Sequence, residues 1–269
     1  MTLIRLDTIR VEKPWGRMQL WPGFAAPVSG DAPIGEIWFD SPNAEHLPLM
    51  IKYLFTSERL SIQVHPNDEQ ARASGYPSGK DEAWIILDAE PGSTIALGTV
   101  RPLSHEQLRA AALDGSIETL MDWKPVRAGD VIYSAAGTVH AIGAGLTLIE
   151  VQQNLDLTYR LYDYGRPREL HLDAGVAVSH AAPITLPPTS PVTTGRTTII
   201  DSDKFVIERW IDASGTFAAP HAQPAWLIAV SGSGIVGDTR WHAGECWLLE
   251  GEASIGCHPG STLLIAYAR

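Results

Sequence analysis

The sequence has little cysteine, little positive charge and no long apolar run. Cys246 and Cys257 are its only cysteines. They make neither a Cys-x-x-Cys pair nor a disulfide framework, so they read as small buried hydrophobes. No stretch approaches the ~18 consecutive apolar residues of a membrane span. The N-terminal "MTLIRLDTIR" has neither the apolar core nor the small-residue cleavage site of a signal peptide. A cytoplasmic protein that does not associate with membranes is the expectation. Lys and Arg number 20 against 31 Asp and Glu, for a formal charge of -11. That balance argues against a broad surface for nucleic acid or anionic lipid, but it leaves room for a small basic pocket around an anionic substrate.

Glycine (24) and proline (19) are plentiful among the 269 residues. They punctuate short runs rich in Ile, Val, Leu and Trp, which is the pattern of a sheet protein with many turns. Expected strands are "GEIWFD" (35–40), "LMIKYLF" (49–55), "LSIQVH" (60–65), "AWIILD" (83–88), "STIALG" (93–98), "DVIYSA" (130–135) and "LTLIEVQQ" (146–153). Their polar and apolar residues alternate imperfectly, so some of these strands are expected to be covered on both faces. One helix is expected at "SHEQLRAAL", where Ser104 caps and Gln107 completes a capping box. A short turn around "SIETLM" follows, giving a helical excursion near 104–122.

Residues 181–198, "AAPITLPPTSPVTTGRTT", are rich in Pro, Thr and Ala and read as a linker or crossover. Strands resume in "FVIERWID", "AWLIAVSGSGIVG", "GECWLLEG", "ASIGCH" and "TLLIAYA". The stretch "GSGIVGDTRWHAGECWLLEG" repeats the plan of "RAGDVIYSAAGTVHAI", with AGE and AGD before each returning strand. Two related β modules are therefore expected, 1–180 and 199–269.

The chemistry concentrates in the first module. Gln63 and His65 in "SIQVHPND" are two residues apart, which puts both on one face of a strand. Polar groups on a dry sheet face need each other, a ligand or a metal. Glu82 in "GKDEAW" opens a strong strand, and His140 in "AAGTVHAIG" sits at a Gly-rich turn. Imidazole with carboxylate suits Zn, Fe, Co, Ni or Mn, although each residue alone also fits a hydrogen-bonded structural role.

These motifs, together with "EKPWG", "GEIWF" and "GDVIYSAAGTVHAIGAGLTLIEVQQNLDLTYRLYDYGR", resemble the type I mannose-6-phosphate isomerases, metal-dependent members of the cupin superfamily. The likeness is strong over about 11–175 and continues weakly through the second module. It implies a mainly β fold of cupin-type β-barrels or jelly rolls, with two modules (a bicupin) and a short helical excursion. It further implies one divalent metal ion, zinc above others, held by Gln63, His65, Glu82 and His140. Lys80, Glu150 and Arg160 are implied to line the substrate pocket, and Lys13 and Glu36 are second-rank candidates beside them. Trp15 and Trp38 are expected to pack the first strands onto the barrel. The implied reaction interconverts mannose 6-phosphate and fructose 6-phosphate by proton transfer between C1 and C2. Glu150, or a metal-bound water, would carry the proton.

The small-molecule partner is thus a sugar phosphate, with neither nucleic acid nor membrane involved. Other readings are an isomerase of a different sugar, an Fe(II) cupin dioxygenase and a non-catalytic sugar-binding cupin. The chain lacks the large helical domain of longer family members and resembles the short bacterial form. The second module carries His221 and His242 but no acidic ligand at matching spacing, so no second metal is expected there. No feature of the sequence sets the oligomeric state.

Overall fold

A computed structural model describes residues 1–28, 30–40, 47–187, 191–220 and 223–269. Its first half contains β1 (Thr2–Arg5), β2 (Asp7–Arg17), β3 (Ile34–Asp40), β4 (Leu49–Thr56), β5 (Ile62–Val64), α1 (Asp68–Ala73), β6 (Glu82–Ala89), β7 (Thr94–Thr99), α2 (His105–Asp114), α3 (Ile117–Leu120) and β8 (Met121–Pro125). Then come β9 (Val131–Ser134), β10 (His140–Ile142), β11 (Leu146–Gln153), β12 (Tyr159–Tyr162) and α4 (Leu172–Val178). The C-terminal part is β13 (Gly195–Asp201), β14 (Phe205–Ile211), β15 (Ser214–Ala218), β16 (Ala225–Ser231), β17 (Ser233–Val236), β18 (Thr239–His242), β19 (Cys246–Glu250), β20 (Glu252–Cys257) and β21 (Thr262–Ala268). Mainly β structure is what the strand-and-turn pattern called for.

The strands form four open sheets among the described residues, and no sheet closes on itself. Their orders are β12-β5-β10-β7-β8, β2-β3-β4-β11-β6-β9, β1-β19-β16-β21-β14-β13 and β15-β20-β17-β18. The hydrophobic clusters show how they stack. Helices α2, α3 and α4 cover the outer face of the five-stranded sheet through Leu108, Ile117 and Val176. The inner face of that sheet meets the first six-stranded sheet around Trp84, Ile95, Leu97 and Leu148. The two six-stranded sheets then pack on each other through Tyr53, Phe55, Ile149, Phe205, Trp226 and Leu264. Beyond them, the second six-stranded sheet packs on the four-stranded one around Trp210, Trp241 and Ile265.

This stacking explains the faint alternation in the sequence. In β11, Ile149 and Val151 face the other six-stranded sheet while Leu146 and Leu148 face the five-stranded one. Both faces are dry, so both carry apolar residues. β14, β16 and β21 are likewise sandwiched, with Ile207, Ile228 and Ala266 on one side and Trp210, Leu227 and Ile265 on the other.

The expected helix appears as α2, with the Ser104–Gln107 capping box intact and Gly115 closing it in the left-handed conformation. Two helices escaped the sequence pattern. α1 is a single short turn after "HPN", capped by Asn67 with Gln70. α4 contains Gly175 and two valines, a weak helical signature. The glycine is there for packing, since a Cβ on it would lie 2.7 Å from Leu161 Cδ2. The run "AWLIAVSGSGIVG", read as one strand, breaks at Gly232 (φ +73°) into β16 and β17.

Of the expected linker, residues 188–190 lie outside the described set, and its last residues already belong to β13. β1 lies within the stretch expected to form the first module, yet it pairs with β19 at the edge of the C-terminal sheet. No helix among the described residues is long and apolar enough to cross a membrane.

Packing across the central layer dominates the fold, and Trp226 is fully buried there. Trp226→Ala is expected to cost about 3–5 kcal/mol. Ile235→Ala, at an exposed site, is expected to stay within about 0.5 kcal/mol. Urea unfolding of the two variants measures the contrast.

Candidate metal centre

The site lies between the five-stranded sheet and the first six-stranded sheet. Gln63 on β5 pairs with His140 on one side and with Arg160 of β12 on the other. Directly opposed residues in a ladder project from the same face, so the three side chains share the inner surface. His65 follows β5 by one residue. The facing sheet contributes Glu82 at the start of β6 and Glu150 in the middle of β11, where Glu150 stands between Lys52 and Trp84 in the ladder.

His65, Glu82 and His140 are almost wholly buried, and one ligand atom from each lies within 4.8 Å of the others. His65 Nε2 is 3.2 Å from Glu82 Oε1, and His140 Nε2 is 3.6 Å from Glu82 Oε2. The far nitrogens fix the tautomers. His65 Nδ1 is 2.8 Å from the Leu157 carbonyl and His140 Nδ1 is 2.9 Å from the Thr138 carbonyl. A carbonyl only accepts, so each Nδ1 carries the proton and each Nε2 turns a lone pair toward Glu82.

Burial, followed by the charge of Lys80, pushes the His65 imidazole down to about 4. Burial also lowers His140, outweighing the pull of Glu82. For Glu82, burial alone would raise the carboxyl, but the Lys80 ammonium beside it holds it well below its ordinary range. His65 Nε2 and both Glu82 oxygens have no well-aligned hydrogen bond, although Lys80 Nζ pairs with Oε1 at 3.1 Å. Buried polar atoms without partners are costly. Two neutral imidazoles and a carboxylate aimed at one point are a donor set for a divalent cation. Gln63 reaches the same point, with its amide nitrogen 3.3 Å from His140 Nε2 and its oxygen accepting from Ser61 Oγ at 3.0 Å.

Beside this cluster opens a cavity of about 420 Å³, a size suited to a small-molecule ligand. Lys80, Glu150 and Arg160 all line it, as do Lys13 and Glu36. Sequence reading missed Lys52, Asp156, Arg168 and His171, which also line it. Lys52 had a signal, being a lone charge in the apolar strand "LMIKYLF". Asp156, Arg168 and His171 lie on irregular chain around β12, where no periodicity marks a face. Trp38 does more than pack the first strands, because its ring sits 4.5 Å from Lys52 Nζ on the cavity wall. Trp15 is buried in the core as expected and also reaches this wall.

The cavity is strongly charged for so acidic a chain. Lys52 Nζ lies 3.6 Å from Glu150 Oε1, and the Trp84 indole donates to Glu150 Oε2 at 3.1 Å. Burial and then the nearby Glu82 push the Glu150 carboxyl up to about 7, against the pull of Lys52 and Lys80. Lys80 is buried too, but Glu82 and Glu150 overcome that burial and hold its pKa above the ordinary value. Arg168 is engaged by Asp163, with contacts of 2.6 and 2.8 Å. The Arg160 guanidinium donates to the Glu169 carbonyl at 3.2 Å, and its buried Nε has no acceptor among the described residues.

Among the described residues this is the one cluster with metal-ligand geometry. His242 is exposed on β18, and His221 lies outside the described residues.

Two outcomes are expected of this centre. Glu82→Gln should weaken binding of Zn²⁺ by more than the ~10–100-fold typical of residues that merely orient ligands, as read by chelator competition. A carboxyl raised from its ordinary value to about 7 favours the folded state while protonated, and that contribution is lost as pH rises from about 4.5 through 7. In metal-stripped protein, the unfolding midpoint of the wild type should therefore fall relative to Glu150→Gln between pH 5 and 8.

No family model matches the chain, but individual proteins do. Over 229 residues it is 34% identical to the mannose-6-phosphate isomerase ManA of Bacillus subtilis, covering 79% of this chain and 71% of that protein. The crystal structure of the Bacillus subtilis mannose 6-phosphate isomerase superposes with a TM-score of 0.77 at 25% identity, covering 99% of this chain and all of that one. A zinc-bound mannose 6-phosphate isomerase superposes with a TM-score of 0.72 over the full length of both chains, a likeness of fold at 16% identity. With about a third of its residues identical over most of both sequences, the chain belongs to the type I mannose-6-phosphate isomerase family.

Proposed function

We propose that the protein is a metal-dependent isomerase that interconverts mannose 6-phosphate and fructose 6-phosphate. The observation that carries this reading is the convergence of His65, Glu82 and His140, with unsatisfied buried ligand atoms, at the wall of a cavity lined by Lys80, Glu150 and Arg160. Its family membership supports the same reaction and substrate. The two imidazoles and Glu82 would hold one divalent ion, most naturally zinc. Gln63 would be a fourth ligand with its amide turned so that the oxygen faces inward, and Ser61 would then accept from the amide nitrogen instead of donating. When bound, the ion supplies Lewis-acid stabilisation of negative charge on neighbouring substrate oxygens.

The chain's own residues divide the remaining work. Isomerisation moves one proton between C1 and C2 and another between the oxygens those carbons carry, while negative charge builds on the two oxygens. Lys80 is held cationic by Glu82 and Glu150, so it serves as a fixed positive charge beside those oxygens and not as a base. Glu150 is pushed up to about 7, where a carboxyl both takes and returns a proton at neutral pH, and we assign it the proton transfer. Trp84 and Lys52 hold its two oxygens in place. Arg160 has no carboxylate partner among the described residues and offers its guanidinium fork to the phosphate.

We further infer that the stacked sheets are two cupin-type modules. The first, 1–180 apart from strand β1, which joins the sheet of the second, is metal-binding and includes the 104–122 excursion; 181–198 crosses over to the second, 199–269, which is metal-free. Inward-facing Gln63, His140 and Glu150 on opposed sheets, and the absence of a comparable cluster around β15–β20 among the described residues, support this division. A freely diffusing sugar phosphate as substrate suits the cytoplasmic location expected from the sequence.

Metal-stripped protein should not convert mannose 6-phosphate, and Zn²⁺ should restore turnover. Lys80→Met should lower kcat by about 100-fold or more. Arg160→Ala should raise KM for mannose 6-phosphate and leave that for unphosphorylated mannose nearly unchanged. A coupled assay for the ketose product reads all three. Absence of turnover on both sugars with metal bound would reject the substrate assignment.

A further inference from the structure

The C-terminal module contributes no ligand to the metal cluster among the described residues, yet one of its side chains reaches the turn to which the segment carrying Lys80 and Glu82 is bonded. Lys204, just before β14, donates to Asp68 Oδ2 at 2.8 Å. Asp68 opens α1, three residues after His65. Its other oxygen accepts from the Gly79 backbone N–H at 2.7 Å and from Gln153 Nε2 at 3.0 Å. Gln153, at the end of β11, in turn accepts at Oε1 from the Asp81 N–H at 3.1 Å. Both backbone amides flanking Lys80 are thus tied, directly or through one side chain, to a single carboxylate.

The approach is close as well as bonded. The Lys80 N–H donates to the Pro66 carbonyl at 3.1 Å. A Cβ on Gly79 would fall 2.5 Å from the carbonyl carbon of Asn67 and 2.6 Å from the Asp68 nitrogen. Residues 79–82 are therefore laced against the turn that follows His65, and the lacing fixes the separation of His65 from Glu82. Two N–H donors hold one oxygen of the Asp68 carboxylate, and the other faces the C-terminal module. Lys204 holds it, and no other described group donates to that oxygen.

We propose that Lys204 is a positioning residue of the metal centre: through Asp68 and Gln153 it fixes the 79–82 segment, so that the metal-free module sets the geometry of Lys80 and Glu82 in the other. The inference rests on the metal reading of His65, Glu82 and His140. It gives the second module a task beyond covering an apolar face, and it identifies the contact through which that task is performed.

The test compares wild type with Lys204→Ala, Lys204→Arg, Asp68→Ala and the Lys204→Ala/Asp68→Ala pair, all confirmed folded by circular dichroism. Two readings are taken: Zn²⁺ affinity by chelator competition, and amide hydrogen exchange of residues 79–82 in metal-stripped protein. Lys204→Ala should bind Zn²⁺ about 10-fold more weakly, at the lower end of the range for residues that orient ligands, and should speed exchange at residues 79 and 81. Lys204→Arg should restore most of both. The double variant should be no worse than Asp68→Ala alone, as expected for residues acting in one chain of contacts. A Lys204→Ala protein that melts earlier but binds Zn²⁺ and exchanges like wild type would overturn the proposal and leave the ion pair as plain inter-module adhesion. Wild type that binds no Zn²⁺ would instead remove the metal reading itself, and this inference with it.

Discussion

The buried carboxylate of Glu82 is the constraint around which the site is organised. It sits with two imidazoles and an ammonium in a space closed to solvent. A charge taken out of water is tolerated only with close opposite charge or a metal. Each neighbour answers that demand differently. Lys80 supplies a permanent positive charge, while His65 and His140, both neutral by virtue of burial and of their carbonyl-anchored Nδ1 atoms, offer lone pairs to a cation that would supply the rest. Charges of both signs then extend outward through Glu150 to Lys52, and separately through Glu36 to Lys13 at 3.3 Å. The result is a cavity that can neutralise an anionic sugar inside a protein of net charge -11.

The sheets make this possible by keeping water away from both sides of the ligand-bearing strands. Helices α2 to α4 seal the outer face of the five-stranded sheet, and the central sheet-on-sheet layer seals the back of β4, β6 and β11. The gap between these two sheets is where the charged groups of the site gather. A residue such as Glu150 therefore stands on the one face where a carboxylate can be met, beside Trp84 and opposite Lys52. Had β11 slipped by one residue, Ile149 and Val151 would point into the cavity and Glu150 into the apolar central layer.

Much of this was legible in the chain. The Gln63–His65 spacing announced a shared face, and the "KDEAW" and "GTVHA" segments delivered Glu82 and His140 to the same centre. The Ser104–Gln107 box marked α2 because capping is a local interaction. What stayed hidden was non-local or irregular. α1 has its own local capping box at Asn67 and Gln70 but is too short to show a period, and α4 carries Gly175, whose close packing on Leu161 is a tertiary contact. Asp156, Arg168 and His171 reach the cavity from loops, which have no period to read. Strand β1 joins the C-terminal sheet because its partner β19 offers an open edge, a fact of topology that no local pattern encodes.

The sequence by itself determined the class of fold and the donor atoms, since strand patterns, caps and ligand types are properties of a few adjacent residues. Tertiary structure alone decided which polar groups were left without partners, how far burial moved Glu150 and His65, and that Lys204 reaches across to Asp68. Those outcomes depend on desolvation and on distances between residues far apart in the chain. Gln63 and Arg160 are separated by almost a hundred positions, yet they are neighbours in the sheet, and only folding places them side by side.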